Sequence, residues 1–83
     1  MEDREVLSNL EASISHIPSK WQKNMVEFNK VLTQELIVDH ANAILLSEKA
    51  LSKVNSEESK KYIQHMLEGF RAAKLILESK IDR

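Results

Sequence analysis

At 83 residues, with 42% hydrophobic and 30% charged side chains, the chain is long enough for one domain, 1–83, and too apolar for a disordered segment. A net charge of −1 with both signs mixed throughout argues against the basic footprint that phosphate backbones demand, and the absence of cysteine excludes disulfides, thiolate nucleophiles and cysteine metal sites. One glycine and one proline leave little material for turns, so few, long elements and an all-α fold are expected.

The first helix is expected over about 3–17. Glu2, Asp3 and Glu5 suit the positive end of a helix dipole, and Leu7, Leu10, Ile14 and Ile17 step by three, four and three along one seam. Pro18 is expected to end it, because proline disfavours the helical conformation of the residue before it. The opening Met1–Glu5 is acidic and holds no apolar segment, so a cytoplasmic location is the expectation. The longest apolar run, Ala43–Leu46, is far shorter than the ~20 residues that span a bilayer.

Ser19 and Gln22 have the spacing of a capping box, and the second helix is expected over about 20–54. Its apolar residues include Trp21, Met25, Phe28, Leu32, Leu36, Ala43, Leu46, Ala50 and Val54, close to the period of a helical turn. A tight connection to the first helix would lay Ile14 and Ile17 beside Trp21, Met25 and Phe28. The middle of the second helix is apolar around more than half its circumference, with Leu36, Ile37, Ala41, Ile44 and Leu45 as the candidate protein-interaction residues. Short polar residues at 34–36 or 39–42 offer a possible break, which would turn a three-helix antiparallel bundle with a long central helix into a four-helix one.

Asn55–Glu58 supplies the next cap, and the third helix is expected over about 56–81 on the seam Ile63, Met66, Phe70, Ala73 and Leu77. Glu57 with Lys61 and Glu68 with Arg71 have the spacing of surface ion pairs. Gly69 stands in its interior, either as a close helix crossing at a subunit contact or as a tolerated exposed glycine.

Chemistry is sparse. His40 beside Asp39 admits a phosphorelay reading, yet Val38-Asp39-His40-Ala41-Asn42 lacks the residues that follow the phosphorylated histidine in phosphotransfer domains and kinases; a surface or half-buried structural histidine is the plainer reading. The residues three before His40 and His65 are Ile37 and Tyr62, so the Glu-x-x-His pattern of carboxylate-bridged metals is missing. No serine sits in a glycine-flanked turn, and no glycine-rich loop is present for phosphate. No catalytic residue, metal or cofactor is therefore expected. Lys20, Lys23 and Lys30 around Trp21 form a weak basic patch, interrupted by Glu27.

Leu46-Ser47-Glu48-Lys49-Ala50-Leu51, followed by a polar turn and another helix, resembles cytosolic bacteriocin immunity proteins over roughly a third of the chain. These residue types are common to amphipathic hairpins and assign no residue a role. The expectation is a non-enzymatic helical protein that self-associates, as a homodimer, and docks on a protein partner as a regulator, inhibitor or chaperone-like adaptor.

Overall fold

The computed structural model describes residues 2–81 and is an all-α bundle, with no strand among the described residues. Four helical segments follow in order: α1 (Asp3–Ile14), α2 (Ile17–Val26), α3 (Lys30–Lys53) and α4 (Glu57–Ile81). α1 and α2 form one kinked arm that runs antiparallel to α3, and α4 returns along α3. The bundle therefore has three layers and measures 42 × 19 × 15 Å.

The kink explains why the first helix stops at Ile14 rather than near 17. Pro18 has no N–H for the carbonyl of Ile14, four residues back, and its ring crowds that position. The chain closes α1 a turn early, and Pro18 occupies the first turn of α2, where its missing donor has no cost. Ser19 is consequently inside a helix rather than capping one. Its hydroxyl donates to the His16 carbonyl at 3.0 Å, and no side chain caps α2 at His16.

The expected second helix over 20–54 is divided at 27–29, upstream of the break considered at 34–42, which α3 crosses without interruption. Asn29 takes an extended conformation (φ −138°, ψ 117°), and its side-chain oxygen accepts from the N–H groups of Val31 and Leu32 at 2.9 and 3.2 Å. Buried Asn24 reinforces the turn from the other side, its Oδ1 accepting from the Asn29 N–H and the Thr33 hydroxyl. These side chains satisfy donors that a continuous helix would have satisfied with backbone carbonyls, although the buried Nδ2 of Asn24 itself has no partner among the described residues.

Between α3 and α4 the turn is clasped by a residue from the far end of the chain. The Asp3 carboxylate accepts from the backbone N–H groups of Asn55 and Ser56 at 2.9 and 3.0 Å. Ser56 caps α4 through the Ser59 N–H, as expected of that serine. The ion pairs of the outer faces differ from those the spacing suggests: Glu57 meets Lys60, and Arg71 reaches across to Glu48 on α3.

Two apolar clusters fill the bundle. Val6 and Leu10 of α1 pack with Ala50, Val54, Ile63 and Leu67 at one end. Ile17, Leu36, Ala43 and Leu77 form the other, flanked by Ile14, Trp21, Ile37 and Phe70. Trp21 thus joins Ile14 and Ile17, whereas Met25 and Phe28 stand exposed: in the last turn of α2 the inward position is taken by buried Asn24 rather than Met25, and Phe28 falls in the break at 27–29.

Candidate protein-interaction face

α3 has two seams, and the sequence suggests only one of them. Its buried side is Thr33, Leu36, His40, Ala43, Ser47 and Ala50, continued by Val54, with steps of three and four throughout. Every second member of that seam is polar. On the opposite side Val31, Val38 and Leu45, seven residues apart, face outward. The helix therefore hides a histidine, a threonine and a serine while leaving three large apolar side chains bare.

The polar members of the buried seam are bonded in two cases of three. His40, 1% exposed, has Nδ1 2.7 Å from the Leu36 carbonyl and Nε2 3.0 Å from Trp21 Nε1. Because the indole N–H only donates, Nε2 is the acceptor and Nδ1 carries the hydrogen, which fixes the neutral tautomer. The ring lies edge-on to Trp21 and to Phe70, each centroid 5.8 Å away. Thr33 donates to Asn24 and to the Asn29 carbonyl. The Ser47 hydroxyl, fully buried, has no partner among the described residues.

This arrangement removes the phosphorelay reading of His40. An imidazole enclosed by two aromatic rings, with both nitrogens engaged, presents no atom to a phosphoryl donor. Asp39 does not orient it either. Its carboxylate points to α2, accepting from Lys20 Nζ at 2.8 Å with His16 Nε2 at 3.7 Å, and that hydrogen bond holds the Lys20 ammonium above its usual value. The basic patch around Trp21 is likewise dispersed, since Trp21 packs inward under the Lys80 ammonium and Lys20 is engaged by Asp39. Elsewhere, Tyr62 donates to Glu11 at 3.1 Å and its phenol is pushed up by that carboxylate. Among the described residues no three histidine or acidic side chains converge on one point, and no helix is long and apolar enough to cross a membrane.

The outward seam borders a shallow groove between α3 and α4, lined by Ala41, Ile44 and Leu75 with Arg71, Lys74 and Glu78 on its rim. Val38 and Leu45 stand one turn to either side of Ala41 on the same helix, 58% and 65% exposed, and Leu75 across the groove is 68% exposed. Together they make one apolar face across two helices. Of the residues that the sequence singles out, Ala41 and Ile44 line the groove, Leu45 stands exposed on the outward seam next to them, and Ile37 is half-buried against the core. Leu36 does not belong: it has no exposed surface and is a centre of the core, about half a turn from the outward face. Gly69 lies apart from the groove, and a Cβ built on it meets nothing within 4 Å, so it allows no close crossing inside the chain. Val38 and Leu75 are missing from the sequence-derived set. The seven-residue spacing of Val31, Val38 and Leu45 is the signal that finds the first; Leu75 is found only once α4 is laid against Ala41.

Comparison with protein-family models, curated proteins and solved structures gives no match to this chain.

Proposed function

We propose that this chain is a non-enzymatic protein that works by docking, as a homodimer and as a regulator, inhibitor or adaptor of a protein partner, through the face that α3 and α4 share. The observation that carries the reading is the outward seam of α3. A helix apolar on both sides is ordinarily enclosed on both sides. Val38, Leu45 and Leu75 lie together rather than scattered, with charged residues around them, which is the anatomy of an apolar contact with a polar rim. The chain's lack of cysteine fits a cytoplasmic setting, which we include in the proposal.

Light scattering over a range of protein concentrations tests it. The expected result is a mass that rises toward twice the 9.6 kDa chain and falls back in the Leu75→Glu variant. A constant single-chain mass at every concentration, together with no binding of a dye that reports apolar surface, would remove the reading.

A further inference from the structure

We infer that the occupant of this face is a second copy of the chain laid antiparallel, with the two α3 helices crossing at Ala41 and Asn42 on a two-fold axis. The inference rests on the docking reading above and adds the partner and its direction.

About the middle of α3, Val38 and Leu45 form an apolar pair, and Glu35 and Lys49 a pair of opposite charge. Counting outward from Asn42, Val38 lies four residues before it and Leu45 three after it, so a reversed second helix sets each valine against the other copy's leucine. Glu35 and Lys49 lie seven residues before and seven after, two helical turns to either side, on the same edge of the seam. Reversal therefore sets Glu35 of each copy against Lys49 of the other. A parallel pairing would instead face Glu35 with Glu35 and Lys49 with Lys49, like charges at both ends. Both side chains belong to exposed residues, and among the described residues neither is in an ion pair within its own chain. At the centre stands Ala41, whose small side chain lets two backbones approach. Leu75, across the groove from it, is placed to close over the other copy's α3.

The chain holds no cysteine, so single-cysteine variants report neighbours without background. Positions 35, 42 and 49 are all exposed, and far-UV circular dichroism checks that each variant keeps its helices. Under mild oxidation Asn42→Cys is expected to link to itself, and a mixture of Glu35→Cys with Lys49→Cys to link to one another. Lys49→Cys alone is expected to stay unlinked, because in the reversed pair the two copies of position 49 stand about 21 Å apart along the helix, against the ~4–7 Å between Cα atoms that a disulfide allows. Glu35→Lys is expected to raise the dimer dissociation constant about tenfold, since two symmetric contacts turn repulsive, and the double variant Glu35→Lys/Lys49→Glu to restore it. Self-linking of Lys49→Cys, or a dimer by light scattering whose Glu35→Cys and Lys49→Cys chains do not cross-link, would overturn the antiparallel arrangement and leave the docking reading standing. A monomer at every concentration would overturn the antiparallel pair, and only if it also bound no dye that reports apolar surface would the docking reading fall with it.

Discussion

The imidazole of His40 is held at both nitrogens, so its place in the bundle is that of a brace between α2 and α3 rather than a reactive group. Trp21→Phe keeps an aromatic ring against it but takes away the N–H that Nε2 accepts. A buried acceptor left without a donor costs about 1–3 kcal/mol, and chemical denaturation followed by circular dichroism should show a loss of that size. Circular dichroism is the suitable probe because the variant lacks the chain's one tryptophan. Gly69 gives the opposite sign. Its Cβ position is open and its helix unbroken, so Gly69→Ala should gain about 0.5–1 kcal/mol by the same measurement, through lower backbone freedom in the unfolded chain. Position 40 was legible as structural, yet its depth was not. Histidine reads as polar in a periodicity, and only the indole from α2 and the carbonyl of Leu36 make its burial tolerable.

Among the helices, the last was the easiest to read, since Ser56 marks its start and the seam through Ile63, Phe70 and Leu77 keeps phase. The junctions at 15–16 and 27–29 were less legible because each is made by side chains acting at a distance of several residues. Asn29 is an ordinary helix residue in sequence; it becomes a cap only when Asn24 and Thr33 close the turn around it. Asn29→Ala should therefore lower stability by about 1 kcal/mol in a denaturant titration, the usual worth of an N-cap. At the other turn the Ser56 and Asn55 backbone N–H groups hold the Asp3 carboxyl down to about 2, below its ordinary value of 3.8. The folded chain thus favours the ionised form. The clasp is fully present above about pH 4 and is lost as pH falls toward about 2, as the carboxylate takes up its proton. Asp3→Ala should melt at a lower temperature than the parent at pH 7, with the gap closing as melts are repeated down to pH 2.

Across the bundle, the same substitution made on the two sides of α3 separates inside from outside. Leu36→Asp places an unpaired carboxylate where no surface is exposed, and the helical circular dichroism should collapse, because burying an uncompensated charge exceeds what so small a domain can lose. Leu45→Asp, at a residue 65% exposed, should keep the helical spectrum. The sequence reads the middle of α3 as apolar around more than half its circumference, and Val38 and Leu45 stand exposed on its outward side. What it does not reveal is that the core side of the same helix carries Thr33, His40 and Ser47, so that apolar character alone cannot say which face looks inward. Hydrogen bonds from Thr33 to Asn24 and from Trp21 to His40 draw that side inward toward α2.

Asp3 and the amides it serves are 52 and 53 positions apart in the chain. Closing so long a loop is an entropic expense, so the clasp is expected to form after α3 and α4 have paired and to be absent from the transition state. Removing it should leave the refolding rate in stopped-flow traces untouched and show itself wholly as faster unfolding, so that what this one carboxylate governs is how long a folded copy lasts.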